Sequence, residues 1–352
     1  MGRYGLAAVA ALMVLSACSA KEPADKPASS ADAAGGSVAL TGAGATFPNP
    51  IYAKWFDAYA RQTGVKINYQ SIGSGGGIRQ YTEGTVDFGA TDGPMTDEQI
   101  KAVNGNVLHI PTVLGADVIT YNLPALGQTR LKLDGSAIAD IFLGKITRWN
   151  DPRIASTNPG VSLPAQDIVV AHRSDGSGTS FIFTDYLAKV SAEWKQSVGA
   201  ATSVNWPIGL GGKGNEGVTQ LVKQNPGTIG YVELIYAISN GLPYADVRNS
   251  SGHFIEPSLA SVTAAAAGAD LKPGTDFRVS ITDAKGEAAY PIASFTWLLV
   301  KPHGTDSTKA AQLKAFLQWM ISPDAQRMAA DLHYAPLPVP VVELVEKEIG
   351  TL

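Results

Sequence analysis

The chain has 352 residues, 45% of them hydrophobic and 16% charged, with Lys+Arg at 27 against Asp+Glu at 31 for a net charge of −4. That apolar content excludes a chain disordered over most of its length, and a weakly acidic balance with no long basic run excludes the electrostatic footprint of a nucleic-acid binder. Gly (37) and Pro (21) are plentiful while charge is sparse, the balance of short strands and helices joined by tight turns rather than of coiled coil or collagen.

At the N-terminus, Arg3 followed by the apolar run from Leu6 to Leu15 has the form of an export signal, too short to span a bilayer. It ends in Leu15-Ser16-Ala17-Cys18, which resembles a bacterial lipobox; the resemblance implies that residues 1–17 are a lipoprotein signal peptide and that Cys18 is diacylated, the alternative being an ordinary cleaved signal followed by a buried cysteine. Cys18 is the chain's single cysteine, so there is no internal disulfide and no cysteine-based metal cluster. Residues 18–37, rich in Ala, Ser, Pro and charge without apolar periodicity, read as a flexible tether. No later segment has the uninterrupted apolar length of a spanning helix. The expectation is an exported body held to a membrane only through the Cys18 lipid.

From Val38 onward short apolar strands alternate with amphipathic helices, which predicts an α/β architecture. Strands are expected at 38–40, 65–70, 86–90 and 107–113. Residues 48–63 carry Ile51, Tyr52, Trp55, Phe56, Ala58 and Tyr59 at helical spacing, with Pro48 at the start and Gly64 past the end, so these aromatics read as core. Thr96 and Asp97 cap a short helix after Pro94. Further helices are expected at 134–146, 178–190, 212–224 and 258–267, interleaved with strands at 168–171 and 228–232. A long apolar run at 290–300 precedes helical periodicity at 307–321 and 323–332, late helices that pack back on an existing sheet. No Pro/Ser-rich linker divides the body, so two lobes would be joined by crossing strands, with 111–121 and 290–300 as candidates.

Four glycine-rich turns carry the chemistry: residues 41–48 (TGAGATFP), 72–77 (IGSGGG), 89–94 (GATDGP) and 173–180 (RSDGSGTS). Each follows a strand and three lead into a helix. Glycine lets backbone approach a ligand closely, and the first N–H groups of a helix are unpaired and favour an anion. Thr46, Ser74, Ser177 and Thr179 add hydroxyls at those helix starts, and Arg173 adds a planar multi-donor cation. Such donors converging from several loops describe an oxyanion pocket. Asp92 and Asp175 read either as turn or N-cap residues or as part of that pocket. A carboxylate can only accept hydrogen bonds, so Asp92 in the pocket would favour an anion that still carries a proton, as phosphate does and sulfate does not.

Catalytic machinery is not visible. The elbow G-x-S-x-G is absent, since Asp175 stands two residues before Ser177 and Ile72 two before Ser74. There is no G-x-x-x-x-G-K-[ST] and no H-E-x-x-H, and the five histidines at 109, 172, 253, 303 and 333 are scattered. His172 adjoins Arg173, but alternation puts it on the opposite strand face, where it reads as a packing residue. Gly209-x-Gly211-x-x-Gly214 formally matches a dinucleotide fingerprint yet follows Trp-Pro-Ile instead of an evident strand, and reads as a turn bordering the cleft. The expectation is a binding protein, not an enzyme, with no cofactor and no metal.

Together with residues 206–215 (WPIGLGGKGN), 227–233 (GTIGYVE) and 140–145 (DIFLGK), these segments resemble the PstS family of phosphate-binding proteins of bacterial ABC transporters, from about Leu40 to about Val345. The resemblance implies a type II periplasmic binding fold: two α/β lobes joined by two crossing strands, which close on one dehydrated phosphate in the cleft between them. It implies a monomer in the periplasm or at the cell surface that delivers phosphate to membrane permease subunits. In this sequence lobe I is 38–113 plus 292–352 and lobe II is 114–291. By the family pattern Thr46 and Phe47 supply the first loop's contacts, the latter through its N–H, and Ser74 the second. Asp92 accepts the phosphate proton, Arg173 donates with Asp175 holding its guanidinium, and Ser177, Gly178 and Thr179 cap the anion from a helix start. Departures are small: Gly75 replaces a Ser of the enterobacterial pattern, Thr91 and Gly93 replace Ser and Ala, and Ser174 replaces Ala. The lipobox is absent from the best-known soluble members. The residues leave open another tetrahedral oxyanion, arsenate or sulfate, and a surface adhesin or sensor.

Overall fold

The structure, a computed structural model, describes residues 39–352 apart from 128, 270, 303 and 305. The expected signal peptide, lipidated Cys18 and tether lie outside the described residues. No described helix is long and apolar enough to cross a membrane.

The chain begins with β1 (Ala39–Gly44), α1 (Asn49–Thr63), β2 (Lys66–Ser71), α2 (Ser74–Glu83), β3 (Phe88–Thr91) and α3 (Asp97–Ala102). In α1 Pro50 sits in the first turn, Gly64 ends the helix in the left-handed region at φ 77°, and Ile51, Tyr52, Trp55, Phe56 and Tyr59 are buried as their spacing predicts. A capping box opens α3: Thr96 Oγ1 accepts the Gln99 N–H, and Gln99 Oε1 accepts the Thr96 N–H. Next comes β4 (Leu108–Tyr121), buried from His109 onward. The strand expected at 107–113 and the crossing segment at 111–121 are one continuous strand.

The middle of the chain supplies β5 (Lys132–Leu133), α4 (Gly135–Phe142), α5 (Pro152–Ala155), β6 (Val169–Arg173), α6 (Gly178–Val190) and α7 (Ala192–Ser197). It continues through β7 (Leu210–Gly212), α8 (Gly214–Gln224), β8 (Thr228–Glu233), α9 (Leu234–Ser239), β9 (Asp246–Arg248), β10 (Phe254–Ile255) and α10 (Leu259–Ala266). The bounds of α6 are those expected. The helix expected at 134–146 stops at Phe142, because Gly144 at φ 75° turns the chain. Then β11 (Ala293–Val300) precedes α11 (Ser307–Met320), α12 (Pro323–Ala330) and α13 (Val339–Gly350).

Among the described residues an eight-stranded sheet has the order β2-β1-β3-β11-β4-β8-β6-β7, and β10-β9-β5 form a small second sheet. Parallel pairing joins β1 to β2 and β3, and joins β6 to β7 and β8. Between these blocks β11 and β4 pair antiparallel with each other and with their outer neighbours, β3 and β8. Partner exchange along β4 organises the sheet: residues 108–116 pair with β11 and 117–121 with β8. The first block runs in the direction of β4 and the second against it, so the carboxyl ends of both blocks point at the middle of β4. Register shows this directly, since Thr91 at the end of β3 lies opposite Trp297, itself opposite Pro111, while Glu233 at the end of β8 lies opposite Asp117. Carboxyl ends of strands are where open α/β sheets place ligand loops. Here the glycine-rich turns follow β1, β2, β3 and β6.

Candidate functional site

Three of the four turns meet on one hydroxyl. Ser74, buried at the start of α2, accepts on its Oγ the N–H of Asp92 at 3.2 Å and that of Gly178 at 3.0 Å. The Gly75 N–H donates to the Gly176 carbonyl at 2.9 Å. Glycine is required at Gly178, where a Cβ would fall 2.6 Å from the Asp92 Cβ and Oδ2. It is also required at Gly73, which has φ 87° and where a Cβ would fall 2.3 Å from Asp175 Oδ2.

Arg173 ends β6 with its side chain buried. Its Nε and Nη2 donate to the two Asp175 carboxylate oxygens at 2.8 and 2.6 Å, and Nη1 donates to Thr179 Oγ1 at 3.2 Å. Nη1 and Nη2 each carry a second N–H beyond these bonds. Burial opposes the Arg173 charge, but the bonded Asp175 carboxylate outweighs it and holds the guanidinium pKa above its usual value. Burial likewise opposes the Asp175 charge, and Arg173 nonetheless holds that carboxyl below the usual range. Asp175 Oδ1 also accepts the Gly214 N–H at 3.0 Å, joining this turn to the start of α8.

Asp92 is buried directly after β3. Its Oδ1 accepts the Thr296 O–H at 2.8 Å, while its Oδ2 lies beside Gly178, the first residue of α6. Burial pushes the carboxyl up to about 7, against the opposing pull of Thr296, Arg173 and Ser74. Ser177 is the N-cap of α6, with its Oγ accepting the Ser180 N–H at 3.0 Å. Thr46 and Phe47 occupy the turn between β1 and α1. The Phe47 ring is buried and fills the space above Gly115, where a Cβ would fall 2.5 Å from ring carbons. The Phe47 carbonyl accepts the Tyr334 O–H at 2.6 Å, while its N–H carries no hydrogen bond among the described residues.

Hydrogen bonds thus join Ser74 to Asp92 and Gly178, and Arg173 to Asp175 and Thr179; Ser177 adjoins them in the chain, and Phe47 follows Thr46 in the first turn. His172 is not among them: it stacks on Trp206 at 4.8 Å between centroids, on the strand face its alternation predicts. The 209–214 glycines form the short edge strand β7 and the start of α8 rather than a dinucleotide loop after a central strand. Three further residues join the site without having been singled out. Asn215 Nδ2 donates to Thr46 Oγ1 at 2.8 Å and to Thr179 Oγ1 at 3.1 Å. Thr296 binds Asp92, and Tyr236 donates to the Thr46 carbonyl at 2.6 Å. Thr296 is hidden in an apolar run, and Tyr236 belongs to a helix that periodicity does not announce. Asn215 was visible only as the last letter of the 206–215 segment. Among the described residues no group of three or more His, Cys, Asp or Glu side chains could hold a metal ion.

Hydroxyls, the Arg173 guanidinium and the start of α6 therefore gather near one buried carboxyl. That donor and acceptor set can hold a small oxyanion and recognise a proton on it.

A family profile described as a PBP superfamily domain matches residues 27–324. The chain is 46% identical over 310 residues to a phosphate-binding protein PstS of Xylella fastidiosa strain 9a5c, covering 88% of this chain and 84% of that protein. It is 45% identical over 312 residues to a PstS of Pasteurella multocida strain Pm70, covering 89% and 90%. Among solved structures it is similar in fold to a high-affinity periplasmic phosphate-binding protein bound with phosphate, at TM-score 0.71 and 20% identity, covering 88% and 93%. A human phosphate-binding apolipoprotein is similar at TM-score 0.72 and 18% identity, with the same coverage. Conserved fold and close sequence relationship over nearly the whole body agree: the chain belongs to the PstS family of phosphate-binding proteins.

Proposed function

We propose that this protein captures inorganic phosphate outside the cytoplasm and delivers it to the permease subunits of a phosphate ABC transporter. Asp92 is the observation that carries the reading. It is a buried carboxyl with one oxygen held by Thr296 and the other beside the start of α6, and an acceptor there suits a protonated tetrahedral anion and not sulfate. In this reading Thr46, the Phe47 N–H, Ser74 and Arg173 donate to phosphate, Ser177, Gly178 and Thr179 cap it from the start of α6, Asp92 accepts its proton, and Asp175 fixes the guanidinium. Lobe I is 38–113 plus 292–352 and lobe II is 114–291, and they close on the ligand; the partner exchange between residues 116 and 117 supports a boundary within β4, three residues beyond the one given. The names of the relatives support phosphate as the ligand.

The protein acts as a monomer anchored to a membrane through diacylated Cys18 after removal of residues 1–17, supported by Leu15-Ser16-Ala17-Cys18. Calorimetric titration of protein stripped of bound anion tests the ligand. One-to-one binding of phosphate with no response to sulfate is expected. Equal binding of both, or of neither, would defeat the reading, and arsenate binding would measure how far size alone discriminates. Labelling cells with radioactive palmitate tests the anchor: wild type should incorporate label and Cys18→Ala should not.

A further inference from the structure

We infer that Asn215 is a positioning residue that fixes the polarity of the site, committing the Thr46 and Thr179 hydroxyl hydrogens to the anion. The inference rests on the phosphate-binding reading and deepens it, since it says how two of the contacts are made to donate.

Asn215 is fully buried in the first turn of α8. Its Oδ1 accepts the Glu233 N–H at 2.9 Å. A backbone N–H can only donate, so this bond settles which side of the amide carries oxygen and turns Nδ2 toward the site. The two Nδ2 hydrogens then go to different elements, one to Thr46 Oγ1 at 2.8 Å and one to Thr179 Oγ1 at 3.1 Å. Each hydroxyl also receives a second donor: the Asn215 backbone N–H reaches Thr46 Oγ1 at 3.2 Å, and Arg173 Nη1 reaches Thr179 Oγ1 at 3.2 Å.

A hydroxyl oxygen has two lone pairs and one hydrogen. With two donors on each oxygen, both lone pairs of both threonines are taken, and neither O–H has a protein acceptor among the described residues. The hydrogens can only be given to a ligand that accepts. A ligand presenting a proton at these positions meets two hydrogens head-on, an arrangement as costly as an unmade bond. The protonated oxygen of phosphate is thereby turned away from Thr46 and Thr179 and toward Asp92. Asn215 does not itself touch the anion in this account, and it acts through the two threonines.

A double-mutant cycle separates this role from simple support of α8. Full-length wild type, Asn215→Leu, the pair Thr46→Val and Thr179→Val, and the triple variant are titrated with inorganic phosphate by calorimetry, and each is melted without ligand. Asn215→Leu should weaken binding about tenfold to hundredfold, the worth of one or two weakened bonds to a charged group. In the background lacking both hydroxyls the same change should cost less than about threefold, because the groups it acts through are gone. If leucine prevents folding, Asn215→Ala enters the same cycle. Binding by the single variant within about twofold of wild type, or losses that multiply in the triple variant, would overturn the inference while leaving phosphate binding intact. A wild type that does not bind phosphate would instead defeat the functional reading, and this one with it.

Discussion

Asp92 is the residue on which selectivity turns. With its carboxyl pushed up to about 7 by burial, it is ionised and only accepts at alkaline pH, and it is neutral and able to donate under acid conditions. The protonated side chain would accept sulfate where the ionised one repels it. The preference for phosphate over sulfate should therefore shrink as pH is lowered from about 8 to about 5, by up to about tenfold per unit below the carboxyl pKa. Asn at this position always carries a donor, so Asp92→Asn should lose most of the preference at every pH. Competition calorimetry at several pH values reads both, and selectivity that stays flat in wild type and unaltered in Asp92→Asn would refute the assignment. Arg173 is tested more simply. Arg173→Ala should weaken phosphate binding by about 1.5 to 3 kcal/mol, the range for a hydrogen bond to a charged group. A titration showing a loss well below about 1 kcal/mol would mean that hydroxyls and helix starts hold the anion without it.

What was legible at this scale was local. Thr46, Ser74, Asp92, Arg173 and Thr179 stand in glycine-rich turns whose composition betrays close backbone approach, and the structure brings those turns together. Asn215, Thr296 and Tyr236 reach the same place from elements whose own sequences serve packing, so no short motif marks them.

At the scale of elements, the pairing of β4 with β8 sets Asp117 directly opposite Glu233. Both are fully buried, and Asp117 Oδ1 and Oδ2 and Glu233 Oε1 have no hydrogen-bond partner among the described residues. Burial raises both carboxyls well above their usual range; for Asp117 the Glu233 charge adds to this, and Asp92 raises both while Arg173 opposes the rise at Asp117. An acid whose folded pKa is raised contributes stability that is complete below its unfolded value and lost as pH climbs through the folded one. Asp92, raised from 3.8 to about 7, has the same sign. Ligand-free protein should thus be markedly less stable in urea at pH 8 than at pH 5, and Asp117→Asn should flatten that slope. Equal slopes would show that the pair does not titrate across folding. Below about pH 4 the sign reverses, because Asp175, held low by Arg173, loses its contribution on protonation.

The start of α6 gives a second element-scale test. A methyl group on residue 178 would collide with Asp92, so Gly178→Ala must displace either the helix or the end of β3. Overpacking of this kind costs about 1 to 3 kcal/mol. Phosphate affinity should fall at least tenfold, as about that much strain at the contact implies, with the circular dichroism of the helices unchanged; undiminished affinity would mean the junction yields freely. Helix α6 could be bounded from sequence because a serine cap and a periodic apolar stripe mark its start and face. The length of β4 could not, because an exchange of strand partner leaves no trace in the hydropathy of a strand that is buried throughout.

The division into lobes is a property of the whole molecule, and residue periodicity carries no signal for it; the lobes were expected through family resemblance, and the candidate crossing strands from the absence of a linker between them. In the structure, segments assigned to different lobes are tied at the site by Asn215 to Thr46, Gly178 to Ser74 and Tyr236 to Thr46. They are tied again some way along the chain from it by Arg278. Its Nη1 donates to the Met95 carbonyl at 3.0 Å and to Asp97 Oδ1 at 2.9 Å, while Nε is held by Asp276 at 2.7 Å. Trp297 Nε1 donates to the Phe277 carbonyl beside it at 3.1 Å. The Asp97 partner is exposed, so the ion pair itself contributes little, and the bond to the Met95 carbonyl is the part that can favour closure. A contact made only when the lobes are together shifts the closed population without touching ligand, and shows up as faster release. Arg278→Ala should weaken phosphate binding about twofold to tenfold, with most of the change in the off-rate measured by stopped flow. Small-angle scattering with saturating phosphate should still show compaction of the variant, because the site contacts remain. A slower on-rate at unchanged off-rate would place Arg278 on the route of entry instead, and a loss beyond about a hundredfold would mean that closure depends on this latch more than on the anion.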